Sequence, residues 1–278
     1  MVTGRQLATR LALASVSTLA LSAAAHAQAP TYNWTGFYVG VNVGGAWGQS
    51  KTTTAVSCDK IAGFITYFDC PAPGTTAAQA AAVGSGTATG SGFTGGLQAG
   101  YNWQSGSVVL GLEADIEAFR MKVSRQATGV YPGPAMQSGP YTISSSIDTN
   151  WLFTARGRAG WAFGDMLAYV TGGLAATDLR TNHTFSDNFT FGGFSASGAS
   201  GSWGGSATKV GWTVGGGAEW ALSRNWTVKA EYLYVNFGAV DAASQIKHTS
   251  TGLGYANGIS TSADLTAHIA RAGINYKF

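Results

Sequence analysis

The sequence is poor in charged residues and in cysteine. Charged residues make up 10% of its 278 residues, whereas ordinary soluble domains carry roughly 25%. The net charge is only +3, and the basic residues form no run or patch, which argues against a nucleic-acid partner. The two cysteines, Cys58 and Cys70, have no nearby histidine and would make a poor zinc site. We therefore expect no nucleic acid, no metal and no cofactor.

After Ala27 the sequence lacks any run of about 20 apolar residues, the length that a membrane-spanning helix requires. Before that point, Arg5 and Arg10 precede a mostly apolar run that is too short for a stop-transfer helix. Ala25-His26-Ala27 is a small-x-small cleavage site. The sequence thus predicts a cleaved signal peptide at 1–27 and a mature domain at 28–278. An uncleaved N-terminal anchor is the alternative.

Glycine and aromatic residues are abundant. The chain has 40 glycines and 9 tryptophans, and aromatics reach 12%. The glycines keep no three-residue period, which excludes a collagen-like helix. So many rings and β-branched residues also argue against disorder.

Apolar and polar residues alternate with a period of two in eight segments, as β-strands require. In the last segment, Ala263–Phe278, Ile274 and Tyr276 share one face, and Arg271 and Lys277 share the other. The facing of the fifth segment remains open at this point. The first seven segments lie around Phe37–Val43, Phe93–Trp103, Val108–Glu117, Trp151–Phe163, Leu167–Arg180, Trp212–Leu222 and Trp226–Tyr234.

The connections between these segments alternate in length. Three are short and turn-like: Gln104–Ser107, Gly164–Met166 and Ser223–Asn225. Four are long: Gln49–Gly92, Ser124–Ser145, Thr181–Ala207 and Ala239–Ser262. We predict an all-β, eight-stranded antiparallel up-and-down transmembrane barrel with four long outer loops and short periplasmic turns. A soluble lipocalin-like barrel, whose apolar face points inward, is the alternative.

Charged side chains concentrate on the polar faces of the strands. Burying them unpaired would be costly, whereas a narrow polar lumen would let them pair. We expect the three carboxylates of the third strand to pair with Arg156 and Arg158, in preference to a calcium site, which needs more oxygen ligands. The predicted lumen charge network comprises Glu113, Asp115, Glu117, Arg156, Arg158, Glu219, Lys229, Glu231, Arg271 and Lys277.

Aromatic residues near the strand ends suggest the belts that mark membrane–water interfaces. The members of this predicted belt are Trp34, Trp103, Trp151, Trp161, Trp220, Trp226 and Tyr276. Export would permit a disulfide, and we expect Cys58 and Cys70 to bridge within the first long connection.

Four motifs carry a family resemblance: Asn33-Trp34-Thr35-Gly36-Phe37-Tyr38-Val39-Gly40, Gly215–Trp220, Val228–Val235 and Gly273–Phe278. Their order along nearly the whole mature chain resembles the small porin-like outer-membrane proteins of alphaproteobacteria, a surface-antigen family. The resemblance implies a location in the Gram-negative outer membrane. It also implies that Phe278 is an assembly signal read by the barrel-assembly machinery.

Such a barrel admits three classes of function: a structural role, passive transport and catalysis. Eight strands leave an interior only just wide enough for side chains, which favours a non-catalytic structural or surface-exposed role. A narrow porin for small hydrophilic solutes is the alternative, because glycines on the polar face of the sixth segment leave space. His248 and His268 were considered as catalytic groups, but no nucleophile is placed beside either, so we expect no enzyme. The expected partners are outer-membrane lipid and lipopolysaccharide; the sequence names no ligand for the outer loops.

Overall fold

The computed structural model describes residues 32–57, 76–130, 137–187, 190–191, 199–248 and 254–278. The predicted signal peptide at 1–27 and the predicted Cys58–Cys70 disulfide lie outside these ranges and stay predictions. The described residues contain no helix that is long and apolar enough to cross a membrane.

Nine antiparallel strands close into one ring, which confirms the predicted up-and-down barrel. They are β1 (Gly36–Ser57), β2 (Gly86–Ser105), β3 (Val108–Val130), β4 (Pro140–Asp148), β5 (Trp151–Phe163), β6 (Met166–Asp187), β7 (Ala199–Ala221), β8 (Trp226–His248) and β9 (Gly254–Lys277). One helix, α1 (Thr76–Gly84), precedes β2, and a two-residue pairing of Gln137–Ser138 with Thr190–Phe191 lies outside the ring. The ring closes where β1 pairs with β9.

The strand count of nine arises from one break. Both β4 and β5 pair with β3 on one side and with β6 on the other, so they share one position and the ring has eight positions. At the break, the Thr149 hydroxyl donates to the Phe119 carbonyl at 3.0 Å, and the Phe119 amide donates to the Asn150 carbonyl at 2.9 Å. These bonds replace the interrupted ladder.

The strands are strongly staggered. Following paired residues once around the ring from Lys122 leads through Trp47, Tyr234 and Gly172 to Leu112, ten residues earlier on the same strand. With a rise of about 3.3 Å per residue and about 4.8 Å between strands, this stagger tilts the strands by roughly 40°. Each residue then climbs the barrel axis by about 2.5 Å.

Seven of the strands have between 20 and 24 residues. The predicted bounds of the long loops were therefore wrong, because Thr-, Ser- and Gly-rich segments continue the strands. Residues 53–57, for example, pair with residues 258–262, although both segments were assigned to loops. At the opposite end the predicted short turns are tight, with Gly106 and Gly164 at φ values of 60° and 58° that suit glycine.

The apolar faces point outward in the lower part of the barrel. Phe37, Leu110 and Trp212 are 47%, 54% and 50% exposed, which contradicts a soluble barrel with a sealed apolar centre. On β6, Val170 points outward, while Tyr169 and Thr171 point inward, which settles the facing that the sequence left open. This outward band is the surface that meets hydrocarbon.

Aromatic rings border the outward band. Trp103, Trp161, Trp220 and Trp226 are exposed near the end that carries the short turns, where the predicted belt placed them. Trp34 was assigned wrongly to the belt. Its side chain is 1% exposed and packs on Tyr32 with ring centroids 4.7 Å apart, inside the lower mouth.

The interior is layered from end to end. Above the lower plug of Tyr32, Trp34 and their neighbours lies a charged layer, and above that an apolar one. The apolar layer comprises Ala46, Phe119, Met121, Val123, Ile147, Leu152, Ala175, Leu179, Leu233, Val235, Phe237, Ala263, Leu265, Ala267 and Ile269. A further apolar cluster, which includes Ala77 and Ala80 of α1, fills the outer end of the barrel.

Candidate functional site

The charged layer is the most distinctive site in the molecule. It forms because alternate residues of β3, β5, β7, β8 and β9 point into a narrow interior at the same level. Nine of the ten predicted network residues are at most 4% exposed: Glu113, Asp115, Glu117, Arg156, Arg158, Glu219, Lys229, Glu231 and Arg271.

Arg156 bridges three carboxylates from two sides of the barrel. Its Nη2 lies 2.5 Å from Glu113 Oε1 and 2.7 Å from Asp115 Oδ2 on the neighbouring strand β3. Its Nη1 donates across the lumen to Glu231 Oε1 at 3.0 Å, and its Nε donates to Thr154 Oγ1 at 2.9 Å. The planar guanidinium group thus ties β3, β5 and β8 together.

Arg271 makes a second bridge from the last strand. Its Nε and Nη2 donate to Glu231 Oε2 at 2.8 and 2.5 Å. Its Nη1 donates to Asp115 Oδ1 at 3.2 Å and also to Glu117. Glu117 therefore pairs with Arg271, although the sequence suggested Arg156 or Arg158 as its partner.

Arg158 and Lys229 complete the set of buried cations. Arg158 Nη2 donates to Glu219 Oε2 at 2.7 Å, and its guanidinium carbon lies 4.3 Å from the centre of the Tyr169 ring. Lys229 Nζ donates to both oxygens of Glu113, at 2.9 and 3.0 Å. With these contacts the network joins charged residues of β3, β5, β7, β8 and β9 across the lumen.

Five buried acids face four buried bases in this layer, so neutral donors complete the shell. The Tyr38 hydroxyl donates to Glu113 Oε2 at 2.7 Å. Other neutral side chains also donate to these carboxylates. Thr94 donates to Glu117, Thr154 to Asp115 and Tyr169 to Glu231, while Thr227 and Asn275 both donate to Glu219. These donors are not among the predicted network residues, although all of them lie on the inward faces of their strands.

Lys277 stands apart from the network that was predicted to include it. Its Nζ donates to the backbone carbonyls of Asn33 and Thr35 and lies 4.8 Å from the centre of the Tyr32 ring. It therefore fastens the segment before β1 to the lower mouth.

Of the two histidines named as catalytic candidates, the structure describes the side chain of His268 but not that of His248. His268 faces outward, where its Nδ1 lies 2.5 Å from the Tyr232 hydroxyl and its ring stacks on Trp47. The side chain of His248 and the residues that follow it lie outside the described part of the chain. Among the described residues, no group of three or more His, Cys, Asp and Glu could hold a metal ion.

Residues 12–278 match the family model described as the outer membrane protein beta-barrel domain. The chain belongs to this family. Among curated proteins it is 31% identical to the 31 kDa outer-membrane immunogenic protein of Brucella melitensis over 274 residues, which cover 92% of this chain and 89% of that protein. It is 30% identical to the 22 kDa outer membrane protein of Rhizobium leguminosarum bv. viciae over 54% of this chain and 55% of that protein.

The chain also resembles solved outer-membrane barrels, with low sequence identity. OprG of Pseudomonas aeruginosa is 16% identical with a TM-score of 0.40, and the match covers 90% of this chain and 99% of that one. The outer membrane protease OmpT of Escherichia coli is 9% identical with a TM-score of 0.42, covering 91% and 100%. Neither score supports a conclusion about function. Family and relatives together confirm a protein of the Gram-negative outer membrane that is homologous to surface immunogens.

Proposed function

We propose that this protein is a non-catalytic outer-membrane barrel with a closed lumen, and that its role is structural and surface-exposed. The observation that carries the proposal is the filling of the barrel cross-section at successive levels. Interlocked ion pairs occupy one level, and apolar side chains occupy the next.

The apolar layer is the stronger barrier to a hydrophilic solute. Phe119, Leu152, Leu233 and Ile269 all point inward and are 0% exposed. A polar solute at this level would lose its hydration without gaining hydrogen-bond partners, which costs several kcal/mol. Transit would therefore require this layer to separate.

The narrow porin is the second candidate, and its main support was the glycine-rich inner face of β7. Neighbouring atoms already fill the space beside these glycines. A Cβ on Gly217 would lie 2.8 Å from the Tyr169 hydroxyl, and one on Gly215 would meet the Tyr232 carbonyl. The glycines thus permit close packing, which weakens the argument for a pore.

Planar-bilayer recordings on refolded protein test the closed lumen. We expect no stable conductance steps from the wild-type barrel. Leu233→Ala combined with Phe119→Ala should open the apolar layer and produce conductance, whereas Leu110→Ala on the outward face should not. Stable steps from the wild type that scale with salt concentration would favour the porin.

Lipid and lipopolysaccharide are the partners that we propose for the outer surface. Arg120 and Lys122 are exposed on β3 just above Phe93, which is itself exposed in the outward band. Cations at this level suit the phosphate groups of the outer leaflet. The double variant Arg120→Gln, Lys122→Gln tests this contact. If less lipopolysaccharide co-purifies with the variant than with wild type, the contact is supported; if the amount is unchanged, it is contradicted.

A further inference from the structure

The barrel wall has a slot between β7 and β8 above the outward apolar band. The two strands pair up to Trp212 and Asn236, and they pair again only at Ser200 and Lys247. Between these points, 11 residues of β7 (Gly201–Gly211) and 10 residues of β8 (Phe237–Ile246) have no ladder between them. We call these two facing stretches the slot edges.

Each slot edge is paired only on its far side. The β7 edge pairs with β6 throughout, and most of the β8 edge pairs with β9. Since alternate residues of a strand direct their N–H and C=O groups to opposite sides, about five residues of each edge present backbone groups to the slot. Among the described residues, one side-chain hydrogen bond spans the slot: Lys209 Nζ donates to the Ala239 carbonyl at 2.7 Å, near the lower end.

Burial shows that the slot is open. Gly205 and Ala207 lie on the inward face of β7, yet both are exposed. Their partners on β6, Thr181 and Leu179, are buried. A Cβ added to Gly205 would have no atom of the described residues within 4 Å.

The local sequence explains why the strands separate here. A bulge in β8 between Asn236 and Ala239 shifts its register, and Gly238 adopts a φ of 68° at that point. Bulges bend the strand that carries them. The facing segment of β7, Gly201–Thr208, has small side chains apart from Trp203 and offers no bulk to close the gap.

Exposed strand edges are usually protected by charge or proline, because they pair readily with other chains. Gly201–Thr208 has neither a charged residue nor a proline. We propose that the slot is a binding site for an extended polypeptide segment, which adds as a strand between β7 and β8. Strand addition of this kind draws its affinity from main-chain hydrogen bonds.

The shape of the slot fits a single extended polypeptide segment. Paired strands close both of its ends, so the edge of a second barrel, itself held in a closed wall, cannot enter. The length admits about ten extended residues, roughly 33 Å. Alternate side chains of the bound segment would face Gly205, Ala207, Val240 and Ala242, so they must be small or apolar. The other side chains would face solvent.

A labelled peptide tests the site directly. The probe is a fluorescein-labelled synthetic peptide with the sequence of residues 237–246, which carries the hydrogen-bonding pattern of the β8 edge. Its control is the same peptide with alternate amides N-methylated, so that it keeps its side chains but loses donors along one edge. We expect saturable binding of the first peptide to the refolded barrel by fluorescence anisotropy. The control should bind at least about tenfold more weakly, in line with the loss of one or two hydrogen bonds.

Two matched variants locate the binding. Gly205→Trp places a ring in the open space of the slot, and Gly45→Trp places the same ring on the outward face of β1, where a Cβ also meets no atom within 4 Å. Gly205→Trp should weaken peptide binding at least about tenfold, the effect of about 1.4 kcal/mol, while Gly45→Trp should leave it unchanged. Heat-modified gel migration checks that both variants fold.

Several results would overturn the proposal. The proposal is wrong if the unmodified peptide does not bind, or if both peptides bind equally well. It is also wrong if the unmodified peptide binds wild type and Gly205→Trp equally well. Self-association of the barrel that Gly205→Trp abolishes would assign the slot to a second copy instead. The peptide assay reports on the slot and the conductance assay on the lumen, so failure of one proposal is distinguishable from failure of the other.

Discussion

Arg156 illustrates how much a single buried residue can hold together. It contacts Glu113, Asp115 and Glu231, and its side chain is 0% exposed. Removing one partner of a buried ion pair leaves uncompensated charge, which typically costs more than the intact pair contributes. Removing Arg156 would therefore leave buried carboxylates without a compensating charge.

We predict that Arg156→Leu lowers the free energy of unfolding by about 3–5 kcal/mol, because three carboxylates lose a shared partner in a dry interior. Urea unfolding in lipid vesicles and heat-modified gel migration measure the effect. Arg120→Leu is the matched control, since this exposed arginine should change stability by less than about 0.5 kcal/mol. Equal stability of the Arg156 variant and wild type would contradict the network.

His183 lies in the part of the barrel beyond the membrane and makes its stability depend on pH. Its Nδ1 lies 2.9 Å from Ser145 Oγ, and its ring stacks on Trp203 with centroids 5.7 Å apart. Burial lowers the pKa of His183 below its ordinary value of 6.5. The unfolded state therefore binds the proton more readily than the folded state.

The sign of the pH dependence follows from that difference. Well above pH 6.5 the histidine is neutral in both states, so its contribution to stability is complete. Stability should fall as the pH drops below 6.5 and should level off below the lowered pKa. Amide hydrogen exchange of β6 measures this trend. His183→Phe, which keeps a ring against Trp203, should show a shallower dependence, and an identical slope would refute the assignment.

At the scale of a strand, β3 shows both what the sequence predicts and what it conceals. From Leu110 to Ala118 its apolar residues lie at even positions and point outward. From Phe119 to Val123 they lie at odd positions and point inward, with Arg120 and Lys122 outside. The alternation identified the strand, and the reversal of its phase marks the point where the outward surface changes from hydrocarbon to water.

Strand ends were harder to predict than strand faces. In Lys51–Ser57 each face carries threonine and one small apolar residue, Ala55 on one and Val56 on the other, so no hydrophobic contrast distinguishes a strand from a loop. Trp34 precedes the first alternating residues, so nothing in the sequence indicates that it turns inward. The partners of Arg271 depend on distances across the barrel, which periodicity along one strand does not contain.

The end of β9 allows a prediction about assembly. Phe278 is 69% exposed, its amide donates to the Phe37 carbonyl at 3.0 Å, and its ring lies 5.2 Å from Tyr276. Deleting Phe278 removes little buried surface, so folding of purified protein into vesicles should stay close to wild type. The amount assembled in the outer membrane of cells should fall several-fold, as measured by membrane fractionation.

Phe278→Trp is the control, because it keeps a terminal aromatic ring and should restore assembly. Normal outer-membrane levels of the deletion variant would refute the role of Phe278 as an assembly signal. A matching loss of folding in vesicles would instead identify a contribution to stability.

At the scale of the molecule, the barrel reverses its polarity along its axis. In the lower part, charge is enclosed and apolar residues face outward; in the upper part, apolar residues fill the centre and polar ones face outward. The lower part is stable only where hydrocarbon surrounds it, and the upper part only where water does. One chain thus combines a membrane barrel with a water-soluble one.

Spin labels at two positions on the same face of β3 test whether the outward surface changes from hydrocarbon to water along the strand. In a chain whose own cysteines are replaced by serine, Leu112→Cys and Gln126→Cys carry the label in separate samples in lipid vesicles. We expect oxygen to relax the label at 112 strongly and a water-soluble nickel reagent to leave it unaffected, with the reverse at 126. A label at 112 that the nickel reagent reaches, or that neither reagent reaches, would contradict the outward apolar band.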